Sequence, residues 1–388
     1  MKVSIAENVR YIGVDDKTID LFESQYDVPN GISYNSYVIL DDKVCVMDTV
    51  DARFTEEWME NLKWELEGRA PDYLVISHME PDHAASIGAL CAEYPEMKLV
   101  LNEKTIKLLG QFFEGDYSDR FVVVAEGESL SLGEHTLSFY MAPMVRWPEV
   151  MVTYEAKDKI LFSADGFGKF GALDTDEDWT CEARRYYFNI VGKYGAQVQA
   201  LLKKAAGLDI EIICPLHGPV LKEDLGYYIG KYDTWSSYRP EDKGVFVVCA
   251  SIHGNTKKAA LLLCDMLRER GEKVSFCDIA RDDMAEAVED AFRYDRTVFC
   301  AASYDGGVFA PMADFLTHLK SKTFRERRAY IVENGSWGPT AAKAVKASLA
   351  EMKDIDVCDT VVTIRSSVKE ADVAALEALA EVIVNDAK

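Results

Sequence analysis

His78-Met79-Glu80-Pro81-Asp82-His83 places four potential metal ligands at the end of an apolar run, Asp72-Tyr73-Leu74-Val75-Ile76-Ser77. That run is too short and too apolar for anything but a buried strand. Two imidazoles and two carboxylates follow it, and Pro81 bars a regular helix through the middle of the segment. Ligands packed this tightly on a turn can reach two ions. Mixed nitrogen and carboxylate donors suit iron or manganese better than a thiolate-rich zinc site. The bland alternative is an acidic surface turn that caps a following helix over 84–94.

A chain of 388 residues has room for two or three domains. Its net charge of −23 argues against nucleic acid and anionic membrane as partners, since both demand a positive face. The first residues lack the apolar core of a signal peptide, and no apolar run approaches a membrane span. Nine cysteines are scattered with no C-x-x-C pair. This excludes a rubredoxin-like cysteine site in the chain and fits a reduced, cytoplasmic setting. Cys214 and Cys249 lie in apolar strands and read as buried structural thiols.

Short strands dominate the first part, at 33–40, 44–48, 73–77, 99–101, 121–124, 137–141, 150–154, 160–163 and 210–215. Helical periodicity intervenes at 54–66, 105–113 and 186–205, which implies two sheets between helices. A polar stretch at 237–244 reads as a linker. Beyond it, strands at 244–250, 273–277, 296–301, 329–332 and 361–364 alternate with helical patterns, the grammar of a doubly wound parallel sheet. The expected domains are 1–242 and 243–388.

In the second domain the first strand ends in Ser251-Ile252-His253-Gly254-Asn255-Thr256-Lys257. Small hydroxyl residues and a glycine let backbone N–H groups converge on an anion at a helix N-terminus. The turn is neither a Walker loop nor G-x-G-x-x-G. Later strand ends are again rich in glycine and aromatics, Ser303-Tyr304-Asp305-Gly306-Gly307 and Glu333-Asn334-Gly335-Ser336-Trp337-Gly338. Tyr304 and Trp337 are either ordinary core aromatics or platforms for a planar ring. The layout resembles flavodoxin. By that resemblance Ser251, His253, Gly254, Asn255 and Thr256 would hold an FMN phosphate, and Ser303, Tyr304, Asp305, Gly306 and Trp337 would line the isoalloxazine.

In the first domain two more strand ends carry metal-capable residues, Asp165 in Ser163-Ala164-Asp165-Gly166 and His217 in Pro215-Leu216-His217-Gly218. Taken singly, each reads as a turn former or a satisfied histidine. Their order and spacing resemble the metallo-β-lactamase fold, an αββα sandwich, whose zinc hydrolases carry H-x-H-x-D-H where this chain has H-x-E-x-D-H. Glu80 is a harder donor than imidazole and favours an iron pair over two zincs. Joined to a flavodoxin-like domain, and with Gly31-Ile32-Ser33-Tyr34-Asn35-Ser36-Tyr37 and Asp48-Thr49-Val50, the pattern is similar to the flavodiiron proteins, also called A-type flavoproteins.

That resemblance implies two irons: one on His78 and Glu80, the other on Asp82, His83 and His217, with Asp165 bridging. It implies Tyr194 as a substrate-pocket tyrosine. One ligand departs. The family carries histidine before Trp-Pro, and this chain has Arg146-Trp147-Pro148. A guanidinium stays protonated and offers no lone pair, so it bears on catalysis by charge; it could pair with Glu80 or Asp165 and replace a metal, or point to solvent. The implied activity is reduction of dioxygen to water, or of nitric oxide to nitrous oxide, with electrons relayed through FMN. The donor would be a separate protein such as rubredoxin or a flavin reductase, and the assembly a head-to-tail homodimer or a dimer of dimers. Two other functions compete: an FMN electron carrier whose iron site is incomplete because of Arg146, and a metallo-hydrolase with a regulatory flavodoxin domain.

Overall fold

The computed structural model describes residues 3–386. The chain packs as two compact units. One runs to Tyr187 and resumes at Ala196–Asp233; the other takes Phe188–Gly195 and continues from Thr234.

The first unit contains a seven-stranded sheet in the spatial order Val3–Ser4, Val9–Tyr11, Tyr37–Leu40, Val44–Met47, Tyr73–Val75, Lys98–Leu101, Phe121–Val123. A five-stranded sheet follows in the order Ser129–Ser131, Thr136–Met141, Met151–Glu155, Ile160–Phe162, Ile212–Cys214. One buried cluster draws Tyr37, Cys45, Met47, Val75 and Val100 from the first sheet and Leu137, Phe139, Met151, Phe162 and Cys214 from the second. Alternate residues on each strand thus face one shared core, the packing of a β-sandwich. With helices such as Thr55–Leu66 and Glu103–Phe112, this is the expected αββα layout.

The second unit is built on five parallel strands in the order Val274–Asp278, Asp242–Ala250, Tyr294–Tyr304, Arg325–Asn334, Lys353–Ile364. In chain order that is 2-1-3-4-5, the flavodoxin-like doubly wound sheet. Val245, Val247 and Cys249 pack on Leu263 and Leu267 of the helix Asn255–Glu269 and on Leu376, Leu379 and Ile383 of Glu370–Asn385. Phe246, next in register, turns to the other face against Phe315. Strands buried on both faces need the continuous apolar runs seen in the sequence. Cys214 and Cys249 are buried, as expected. Among the described residues no helix is long and apolar enough to cross a membrane.

Several local expectations are corrected. The strand expected over 33–40 is two, Ile32–Tyr34 and Tyr37–Leu40, in different sheets. The helix expected over 84–94 is two short pieces, Pro81–Ala84 and Ile87–Glu93, and Pro81 opens the first of them, where its missing N–H costs nothing. The helix expected over 186–205 begins earlier, at Trp179–Tyr186, widens into a π-turn at Tyr187–Val191, tightens at Gly192–Tyr194 and resumes at Gly195–Ala205. Gly195 allows the close approach this needs, since a Cβ there would lie 2.4 Å from the Ser236 carbonyl oxygen. The polar stretch beginning at Ser237 is no free linker: Tyr238 is buried and its hydroxyl donates to the Gly192 carbonyl at 2.8 Å.

Candidate metal centre and flavin cavity

The turn after Tyr73–Val75 is shaped by Asp48, a buried residue at the end of the neighbouring strand. Its Oδ1 accepts the Ser77 N–H at 2.7 Å, and Thr49 Oγ1 donates to the His83 carbonyl at 2.8 Å. Burial pushes the Asp48 carboxyl up to about 6, against the opposing pull of Ser77. Asp48-Thr49 therefore clamps both ends of the six-residue ligand segment.

The Gly31–Tyr37 motif does the same for the other strand end. Asn35 Nδ2 donates to the carbonyls of Pro215 and Gly218, both at 2.8 Å, and the Tyr37 hydroxyl donates to Pro215 at 2.6 Å. His217 Nδ1 donates to the Ser33 carbonyl at 2.7 Å. A proton held on Nδ1 leaves the Nε2 lone pair for a metal.

The candidate ligating atoms fall into two groups, Asp82 with His83 and His217, all buried, and His78 and Asp165, both buried, with half-buried Glu80. In the first, His83 Nε2 and His217 Nε2 are 3.1 Å apart, and Asp82 Oδ2 lies 3.4 and 3.3 Å from them. In the second, His78 Nε2 is 3.1 Å from Glu80 Oε2 and 3.4 Å from Asp165 Oδ2. Metal bonds of about 2.0–2.2 Å place neighbouring donors on one ion about 3.0–3.5 Å apart, so both triangles have the dimensions of a coordination shell. Asp165 turns Oδ1 toward His83 at 3.5 Å and Oδ2 toward His78, the posture of a bridging carboxylate.

The first group fits a metal in a further way. Both Asp82 oxygens, His83 Nδ1 and Asp165 Oδ1 are buried without a formed hydrogen bond. Buried polar atoms left this way are costly unless something binds them. Electrostatics agrees. Burial pushes the His83 imidazolium toward losing its proton, yet Asp82 and Asp165 hold its pKa above the ordinary histidine value. Carboxylates that retain a proton so strongly will also stabilise a metal cation in its place.

The second group fits a metal less well. Where a fourth donor belongs, Arg146 Nη2 donates to Glu80 Oε1 at 2.9 Å, and Nη1 is paired with Glu23. Arg146 is thus ion-paired with Glu80 and does not point to solvent; its side chain is 18% exposed.

Three contributors were not legible in the sequence. Glu149 is buried with Oε1 2.8 Å from His78 Nδ1, Glu23 is the counterion of Arg146, and Tyr186 packs its ring 5.5 Å from His217. None belongs to a motif, and only Glu149 sits beside one, Arg146-Trp147-Pro148. Tyr194 lies in the turn Gly192–Tyr194, which packs with the second unit, with Lys193 Nζ 5.9 Å from its ring. A third group of possible donors, His135, Glu155 and Asp158, is occupied locally. Asp41 holds His135 Nδ1, and Glu155 accepts the backbone N–H groups of Lys157 and Asp158.

In the second unit the strand ends enclose a cavity of about 590 Å³. Ser251, His253, Asn255, Thr256, Ser303, Tyr304, Asp305, Gly306 and Trp337 all line it. Gly254 sits in the same turn at φ +86°, the N-cap of Asn255–Glu269, outside the lining. Ser336, Thr340 and Ser366 are additional polar lining residues. Tyr304 is 51% and Trp337 95% exposed, so neither is a core aromatic. Large exposed rings at the rim of a cavity are the platform that a planar ring requires. A fifteen-residue helix directs its free N–H groups into the same space, where a phosphate would sit.

The family described as "ODP family beta lactamase" matches residues 32–218. Rubredoxin oxygen:oxidoreductase from Desulfovibrio gigas superposes over 100% of this chain and 98% of its own, with a TM-score of 0.92 and 26% identity. The flavodiiron protein of Giardia intestinalis gives the same coverage, TM-score and identity. Over its whole length the chain is similar to flavodiiron proteins. An anaerobic nitric oxide reductase flavorubredoxin of Aeromonas hydrophila is 29% identical over 365 residues, 90% of this chain and 73% of the relative. That similarity supports FMN and iron as cofactors, with a metallo-β-lactamase-like part followed by a flavodoxin-like one.

Proposed function

We propose that this protein works as a flavodiiron protein, taking electrons from a separate redox protein through FMN and using them, at the iron centre, to reduce dioxygen or nitric oxide. The observation that carries the reading is the presence in one chain of two kinds of site. One is a buried set of nitrogen and carboxylate donors with coordination-shell spacing, and the other is an aromatic-rimmed cavity at flavodoxin strand ends. The named activities of the Desulfovibrio gigas and Aeromonas hydrophila relatives support the two gases, and the former's name supports rubredoxin as the class of donor. A head-to-tail homodimer, in which one copy's flavin serves the other's iron, is part of the proposal.

Within the site, His83 and His217 with Asp82 and Asp165 would hold iron, which supplies the redox chemistry when bound. The chain's own contribution is positioning and protons. Burial and the nearby Asp165 keep the Tyr186 hydroxyl protonated, its pKa well above the usual tyrosine value, so it can donate to a molecule beside His217. Tyr194 is a second candidate for this role, on family resemblance.

A second reading is favoured by one observation, the Arg146–Glu80 ion pair. In it the protein is an FMN electron carrier whose iron site is incomplete. Hydrolysis is disfavoured by Glu80 and by the flavin cavity. The deciding experiment reduces the iron-loaded full chain anaerobically, mixes it with each gas, and follows flavin reoxidation beside a metal-depleted control. The reductase reading expects at least one gas to reoxidise the loaded protein much faster than the control. Equal rates for both gases would leave the carrier.

A further inference from the structure

We infer that the chain binds a single metal ion tightly, between Asp82, His83, His217 and Asp165, and that the Arg146 guanidinium stands in for the second. The inference rests on the metal-binding half of the function proposed above and departs from the two-iron expectation.

The two donor groups are unequal in this structure. The tight position has two imidazole nitrogens and an aspartate oxygen within 3.1–3.4 Å of one another, with Asp165 Oδ1 3.5 Å from His83. Both Asp82 oxygens and Asp165 Oδ1 are buried and unsatisfied. The other position has three donors, and one of them is already engaged. Glu80 offers Oε2 toward His78 but gives Oε1 to Arg146 Nη2 at 2.9 Å.

Glu23 makes this a built arrangement. It sits just past Leu21–Phe22, in the turn leading to the paired strand Tyr26–Asp27, and pairs with the opposite guanidinium nitrogen. One fixed cation is thereby matched by two carboxylates drawn from residues 23 and 80, which are remote in sequence. A guanidinium cannot shed its charge. A second divalent ion would have to share Glu80 with it at close range, without the fourth donor. Arg146 supplies in permanent form the positive charge a metal would otherwise bring.

The test is anaerobic equilibrium dialysis of FMN-loaded, metal-depleted full chain against ferrous iron, with bound iron counted per flavin. The expected result is one tight equivalent for the natural chain and two for Arg146→His. Arg146→Gln, which removes the charge without adding a donor, should take up a second equivalent more weakly. After oxidation the natural chain should show the EPR signal of an isolated ferric ion, and Arg146→His should lose it to coupling between two ions. Retained flavin and a retained first equivalent show that each variant is folded. Two tight equivalents in the natural chain would overturn the inference, as would one in all three proteins. No bound iron in the natural chain would overturn both this and the reductase reading. One equivalent with no acceleration by either gas would overturn the reductase reading alone.

Discussion

Glu149 Oε1 lies 2.8 Å from His78 Nδ1 and 2.9 Å from the Met79 backbone nitrogen, so one buried carboxylate both aims the imidazole and pins the start of the ligand turn. Partners of this kind hold a metal-binding histidine in one tautomer and orientation, and losing them typically weakens metal binding about 10- to 100-fold. Yet an iron position that Arg146 already compensates should lose little from Glu149→Gln. The Asp82–His83–His217 position, reached through the same turn, should retain its ion. Metal titration of Glu149→Gln and Glu149→Ala, in the natural chain and in Arg146→His, checks this. The full loss is expected only for the second ion of the Arg146→His protein.

Tyr186 and Tyr194 can be separated by conservative replacement. Tyr186→Phe keeps the ring packed on His217 and Phe170 while removing the hydroxyl. If that hydroxyl donates a proton during gas reduction, the rate should fall about 100-fold, the lower end of general acid effects. Iron content and flavin binding should stay unchanged. The corresponding Tyr194→Phe protein should lose much less. Stopped-flow reoxidation of both variants provides the measurement.

Trp337 is almost wholly exposed, so its removal should leave folding nearly untouched, with stability changing by less than about 0.5 kcal/mol. Its contribution should appear in FMN affinity. Stacking worth about 0.5–1.5 kcal/mol corresponds to roughly 2- to 10-fold weaker binding for Trp337→Ala. Fluorescence titration of the flavin-free protein with FMN would show it. An unchanged dissociation constant would mean that the flavin ring does not use this platform.

The Asp41–His135 pair makes a pH prediction away from the metal. Asp41 Oδ2 accepts both the His135 backbone N–H and its ring Nδ1, each at 2.7 Å. Burial pushes this carboxyl up, but the hydrogen bonds from His135 outweigh it and hold the pKa well below the usual carboxylate range. A depressed folded-state pKa adds stability above the unfolded value of about 3.9, lost progressively as pH falls below it. Asp41→Asn should therefore cost about 1–3 kcal/mol near neutral pH. The difference from the natural chain should shrink as the pH is taken below about 4. Denaturant titrations at the two pH values decide it.

Much of this molecule is legible in residue order. The apolar run before His78 and the parallel-sheet grammar beyond residue 242 require only local patterning, because strands buried on both faces cannot tolerate polar residues. The candidate metal donors and the loops that line the cavity are legible too, since they sit at strand ends where short motifs carry them. Helix continuity through 186–205 is not, because the break before Gly195 goes with a close backbone approach to Ser236, a residue about forty positions away that no local pattern announces.

By itself, then, the sequence pointed to two domains, to candidate donors from His78 to His217, and to an arginine where the resemblance expects histidine. Tertiary structure alone decided what that arginine does. The Glu23–Arg146 pair spans 123 positions, Glu149 reaches His78 across 71, and Ser33 orients His217 across 184. Such contacts are set by sheet register and by which turns meet at one end of the sandwich, and no local pattern of residues encodes them. For a guanidinium with no lone pair, the outcome depends wholly on which carboxylates arrive beside it.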